Sequence, residues 1–216
     1  YQLKWYDNIP ILSWCLLLGK CRKCGSSISY RYPLVELLCG VFFVFTYLKL
    51  GICWTLLEYQ IFAFSLLVVS FIDFDHYILP DVFTLSGIVI GLLGALINPE
   101  RQFMDSLYGV LMGGGFLWAI AYVYWLLRKQ EGMGGGDIKL LAWIGAVVGW
   151  QSIAFVILVS SILGGLVGIV VGIQKKEGLQ STIPFGPYLA LGALLYIWVG
   201  EELTNWYLNL FIPGIA

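Results

Sequence analysis

The sequence contains a single histidine, His76. A HExxH zinc site needs two, so that chemistry is excluded, and so is any cluster of several histidine ligands. A Ser-His-Asp arrangement would have to run through His76. Charge is scarce as well. Asp, Glu, Lys and Arg together make up 12% of residues, about half the share of an average soluble domain. The net charge is −1, which gives no electrostatic case for nucleic acid as a partner. Five cysteines at irregular spacing do not form a disulfide framework. No secretory signal leads the chain, and it begins with Tyr1 rather than Met, which reads as a fragment or processed product.

Apolar residues are in excess, at 60%, with a mean hydropathy of +0.87. Long apolar runs recur near residues 33–50, 54–73, 82–97, 104–127, 137–150, 152–173 and 185–200. Most have the length that a bilayer core requires, and the fifth is short. The expected fold is therefore all-α: a polytopic membrane helix bundle of about seven spans over residues 33–216, with the lipid bilayer as its surroundings. Residues 1–32 are polar and mixed and read as a small loop domain.

Basic residues set the expected orientation. With the N-terminal loop on the cytoplasmic side, Lys4, Lys20, Arg22, Lys23, Arg31, Arg128, Lys129, Lys139, Lys175 and Lys176 share that side, and only Lys49 and Arg101 fall outside it. Such a bias places the N-terminal loop in the cytoplasm and the C-terminus outside. The glycine pairs Gly87/Gly91 and Gly109/Gly113, and the run Gly164, Gly168, Gly172, are spaced for close helix–helix approach and carry no chemistry.

Acids at the hydrocarbon boundary are costly and tend to be functional. Asp7, Glu131 and Glu177 lie in polar loops, whereas Glu100, Asp105, Glu201 and Glu202 lie near the expected outer face. Glu36 and Glu58 sit near span ends. Asp75 reads as a solvated loop charge, and Asp81, after Pro80, as a helix N-cap. Asp73 directly follows "SLLVVSFI", and Asp137 directly precedes "IKLLAWIGAVVGW". Both fall at the cytoplasmic ends of their spans. Two carboxyls at one depth can share a proton, one activating water and one protonating a peptide carbonyl, with neither metal nor histidine. Asp137 also reads as a plain N-cap, and the same two acids suit a proton- or cation-coupled transporter.

Asp137 closes the stretch "EGMGGGD", in which Gly134, Gly135 and Gly136 precede it. This run should weaken a helix and leave an irregular, wet backbone beside the acid, where an extended substrate strand can lie. Lys139 should face away from Asp137 and reach for lipid headgroups. His76 with Ser86 would lie ten residues apart across a turn, a poor basis for a serine nucleophile. Cys15, Cys39 and Cys53 read as small apolar residues.

The segment Gly134–Asp137 resembles the GxGD signature of intramembrane aspartyl proteases. "DFDHYILPD" (Asp73 to Asp81) and "IPFGPYLALG" (183–192) are similar to segments of the type IV prepilin peptidases, in the same order. "DNIPILSW" (7–14) and "CRKCGSSISYRYPLVELL" (21–38) resemble that family's cytoplasmic domain. The resemblance implies an enzyme that removes the leader of prepilins or pseudopilins at the cytoplasmic membrane face. The same enzyme would then methylate the new N-terminus with S-adenosylmethionine. It makes Asp73 and Asp137 the catalytic pair, which needs no cofactor for the peptidase step. The family usually carries two CxxC pairs for zinc in that domain. Here Cys21/Cys24 alone is present, half of a four-ligand site. The first pair and a first span would lie upstream of Tyr1.

Overall fold

A computed structural model describes residues 2, 4–130, 133–175, 183–200, 202–204 and 206. Glu131, Gly132, Lys176, Glu177 and Glu201, weighed above, lie outside the described residues. The chain forms two compact units, Tyr1–Gly51 and Ile52–Ala216. Among the described residues there is no strand, only an isolated bridge between Lys20 and Ser27. The change from polar to apolar sequence at 32/33 lies inside the first unit.

The first unit opens with a 3-10 turn, Trp5–Asn8, and a short helix α1, Leu12–Leu16. A tight loop follows before the long helix α2, Arg31–Leu50. Trp14 organises the loop: its Nε1 donates to the Ile28 carbonyl at 3.0 Å, and Gly19 (φ 68°) packs beneath its ring. Only glycine suits that spot, because a Cβ would stand 2.9 Å from the indole. The Ile11 amide donates to Glu36 Oε2 at 2.7 Å, which ties the α1 entry to α2.

The second unit contains α3 (Trp54–His76), α4 (Asp81–Ile97), α5 (Phe103–Arg128), α6 (Gly135–Val148), α7 (Ser152–Lys175) and α8 (Gly186–Leu195). A π-helical turn, Tyr196–Gly200, continues α8. Cys53 caps α3 by accepting the Leu56 amide on its sulfur, a local role that packing arguments alone did not give it. Tyr77, left-handed at φ 56°, closes the same helix by donating to the Asp73 carbonyl. Cys15, read as apolar packing, is exposed.

Helices α2, α3, α5 and α7 are long and apolar enough to cross a membrane. The other three have 17, 14 and 10 residues. Many large apolar side chains face outward, among them Val89, Ile90, Leu93 and Leu96 on α4. A surface of that kind suits lipid rather than water.

Helix α6 is the core. Every residue from Leu140 to Val147 is buried. This follows from close backbone approach. Gly109 on α5 and Gly145 on α6 meet backbone to backbone, so a Cβ at either would fall on the other's carbonyl. One turn along, a Cβ at Gly113 would stand 2.6 Å from the Leu141 carbonyl oxygen. On α4, Gly87 receives the ring of Trp143, which packs edge-on against Phe62 of α3 with centroids 5.3 Å apart. The glycines of α7 are looser: Gly164 and Gly168 meet Tyr188 and Ile183 at an ordinary 3.4 Å.

One ionic knot ties these helices together at the α4–α5 turn. Arg101 Nη1 donates to Glu58 Oε2 at 2.7 Å, while Nη2 donates to Ser106 Oγ at 2.9 Å and to the Ala146 carbonyl at 2.5 Å. Beside it, Glu100 takes the Thr55 hydroxyl at 2.5 Å and the Thr55 amide at 3.2 Å, and these bonds hold its carboxyl below the usual range. Thus Glu58, Glu100 and Arg101 are structural partners.

Replacing Gly145 or Gly109 by alanine should force α5 off α6 and cost at least ~1–3 kcal/mol, the usual penalty of overpacking. Gly115→Ala, on the same α5 but with open space around it, should be neutral or stabilise by up to ~1 kcal/mol. Thermal unfolding in detergent compares the three directly.

Candidate active site

The last turn of α3 carries Asp73, and the first turn of α6 carries Asp137. The two carboxylates lie within electrostatic reach of one another. Asp73 is 5% exposed, and Asp137 is half-buried. Buried carboxylates are rare unless a partner offsets their desolvation. For Asp73 that partner comes from far along the chain: the Gly186 amide, the first residue of α8, donates to Oδ2 at 3.1 Å. Among the described residues no hydrogen-bond donor meets the Asp137 carboxylate.

The chain builds this site with small residues at each approach. Gly134 is the N-cap of α6, and Gly135 and Gly136 already belong to its first turn. The expectation of an irregular backbone through the whole glycine run is therefore corrected: packing overrides the poor helix propensity of glycine at two of the three positions. Gly136 instead makes space. A Cβ there would stand 2.8 Å from Leu79 Cβ, and a Cβ at Gly186 would stand 3.0 Å from Leu79 Cδ2. One leucine, from the short α3–α4 connection, thus fills the gap between the glycine beside Asp137 and the glycine bonded to Asp73. Gly135 faces open space.

The other polar residues near this end have separate tasks. Pro80 is the N-cap of α4, so Asp81 is its first helical residue and makes no cap bond. Asp81 pairs with Lys139 Nζ at 2.6 Å, with both side chains substantially exposed. This corrects the readings of Asp81 as a cap and of Lys139 as reaching for headgroups, because α4 and α6 bring the two side by side. Ser86 donates its hydroxyl to the Val82 carbonyl of its own helix, and His76 is exposed. No serine nucleophile forms from them.

Cys21 and Cys24 lie in the turn of the first unit. Ser26 donates or accepts at 3.0 Å from Cys24 Sγ, and hydrogen bonds from its side chain and backbone bring the Cys24 thiol down to about 7. Among the described residues no group of three His, Cys, Asp or Glu is placed to hold a metal. Two thiols supply half of the four ligands that a closed tetrahedral zinc site needs. The first unit also has a cavity of about 380 Å³ lined by Asp7, Trp14, Arg22, Tyr32 and Glu36 among others. Its two carboxylates are engaged, Asp7 by Arg22 Nε at 2.9 Å and Glu36 by the Ile11 amide.

Comparison with known proteins adds to this geometry. The family model of the type IV leader peptidase family matches residues 60–169, a span that contains Asp73, Leu79 and Asp137. A second model, for the bacterial N-terminal domain of these peptidases, matches residues 1–50. A protein of Stutzerimonas stutzeri, called prepilin leader peptidase/N-methyltransferase, is 38% identical over 209 residues, covering 97% of this chain and 72% of the relative. A protein of the same name from Aeromonas hydrophila is 40% identical over 206 residues, covering 95% and 71%. One from Pseudomonas aeruginosa is 35% identical over 209 residues, covering 97% and 72%. No solved structure matches the chain.

The Asp81–Lys139 pair is exposed, so its contribution should be small. Asp81→Asn should lower unfolding stability by no more than ~1 kcal/mol, less at high salt. A titration with denaturant at low and high ionic strength checks both statements.

Proposed function

Because the chain belongs to the type IV leader peptidase family, we propose that it cuts the leader from a prepilin or pseudopilin, with Asp73 and Asp137 as the catalytic pair. The observation that carries this reading is that those two acids lie within electrostatic reach of one another. They stand 64 residues apart in sequence, on different helices, at one end of a bundle whose other acids are largely taken up in structural pairs.

The chemistry follows from two carboxyl groups holding one proton between them. The ionised group removes a proton from water as the water oxygen bonds to the scissile carbonyl carbon. The protonated group gives its proton to the carbonyl oxygen. The tetrahedral intermediate then collapses: one of its hydroxyls returns a proton to the second acid, the C–N bond breaks, and the amine leaves with the proton taken from water. The leader ends in a new carboxylate and the mature chain in a new amine.

That amine is the acceptor for the second activity named in the relatives, N-methyl transfer, in which S-adenosylmethionine supplies the methyl group. The cavity of the first unit has the volume for a nucleoside, but its carboxylates already have partners. No residue of this chain is assigned to hold the methyl donor.

The seven helices from α2 to α8, including the π-helical end of the last, are read as crossing the cytoplasmic membrane, with the N-terminal loop and both acids on the cytoplasmic side and the C-terminus outside. The distribution of basic residues supports this, as does Arg101, one of two exceptions, being neutralised by Glu58. Helix α6 rises only about 21 Å at 1.5 Å per residue, against about 30 Å of hydrocarbon. Asp137 would then be recessed within the protein rather than held at the lipid surface. A water-lined recess suits a hydrolase that must open a substrate helix before cutting it.

In proteoliposomes with a prepilin substrate, Asp73→Asn and Asp137→Asn should each lower leader cleavage by ~10²–10⁴-fold or more, read by mass for both the cut and the added methyl. Either variant cutting at the wild-type rate would sink the assignment. A protein that never cuts, but carries protons or cations across the vesicle wall through these acids, would establish a transporter instead.

A further inference from the structure

We infer that Gly186 is a positioning residue for Asp73, acting through its amide and through the space left by its missing side chain. The inference rests on the reading of Asp73 and Asp137 as the reacting pair and adds a component on α8 to it.

Two independent observations meet at this residue. The first is the hydrogen bond from the Gly186 amide to Asp73 Oδ2 at 3.1 Å, across 113 positions of sequence. The amide is free to make it. Gly186 is the first residue of α8, and the first four amides of a helix have no partner within it. Pro187 follows at the second position and carries no N–H, so it offers no competing donor and fixes the helix start. The second observation is steric. A Cβ on Gly186 would stand 2.6 Å from Asp73 Oδ2 and 3.4 Å from its Cγ. The carboxylate occupies the volume that any other residue would need. Only glycine at this place can both donate to that oxygen and let it come so close.

A packing role alone would leave a different trace, and Leu79 distinguishes the two. The same imagined Cβ also approaches Leu79 Cδ2 at 3.0 Å. At Gly136 the three atoms nearest the imagined Cβ all belong to Leu79, at 2.8–3.3 Å. The two glycines therefore share one neighbour, but only Gly186 touches an acid. Removing the whole Leu79 side chain, Cβ included, takes away the three nearest atoms at Gly136. At Gly186 it leaves the collision with Asp73 in place.

The test uses the whole protein in proteoliposomes and five variants: Leu79→Gly, Gly186→Ala, Gly136→Ala, and each of the last two combined with Leu79→Gly. Gly186→Ala should lower kcat for leader cleavage by ~100-fold, the scale of a displaced reacting group, with KM within about twofold. Methylation of a pilin already cut should persist in it. Adding Leu79→Gly should restore Gly136→Ala toward the rate of Leu79→Gly alone and should leave Gly186→Ala slow. Rescue of Gly186→Ala by Leu79→Gly, a rise in KM with kcat unchanged, or a wild-type rate would overturn the inference. A second measurement avoids glycine variants. In protein labelled with ¹⁵N-glycine, the Gly186 amide proton should lie downfield, as for donation to a carboxylate, and move upfield in Asp73→Asn. An unchanged shift would also overturn it. If Asp73→Asn is inactive while Gly186→Ala is normal, this inference alone fails. If Asp73→Asn cuts normally, the catalytic pair itself is wrong.

Discussion

Backbone contact between α5 and α6 is the constraint from which the site follows. Where Gly109 meets Gly145, two helices touch without side chains between them, and van der Waals contact along that seam extends to Gly113 and Leu141. The seam draws α6 into the middle of the bundle, buried from Leu140 to Val147. A helix so enclosed can hold an acid at its first turn away from bulk water. Asp137 owes its surroundings to a glycine two turns along its own helix and to glycines of the neighbouring α5.

The same device recurs at smaller scale around the acids. Gly136 and Gly186 each lack the atom that would strike Leu79, and Gly186 also lacks the one that would strike Asp73. Four separate pieces of chain contribute: the end of α3, the α3–α4 connection, the start of α6 and the start of α8. The first two are consecutive, but α6 and α8 bring their starts from far along the chain. Their meeting depends on helices that pack at the distance glycine allows.

The helices were largely legible in the sequence, because long apolar runs need little context. The run at 33–50 is helix Arg31–Leu50, and that at 104–127 is Phe103–Arg128. The ends were less so. Helix α3 passes Asp73 to reach His76, since nothing stops it before the left-handed Tyr77. Asp73 and Asp137 stood out because an acid beside a long apolar run is expensive wherever it falls. The Gly186 donor left no comparable mark: it is a backbone group, and a glycine before a proline reads as punctuation. Asp81 with Lys139, and Glu58 with Arg101, were hidden for another reason. Each pair joins residues far apart in sequence, and a pattern read along the chain carries no information about which charges will face each other.

Arg101 grips the Ala146 carbonyl near the far end of α6 while holding Glu58 near the far end of α3. Those two helices carry the acids at their opposite ends. A rod pinned at one end has its other end set by its length alone. Fifteen residues separate Glu58 from Asp73 and nine separate Ala146 from Asp137, so one grip at the far ends registers both helices against each other. Sliding either helix by a single turn, about 5.4 Å, would break the grip and part the two acids.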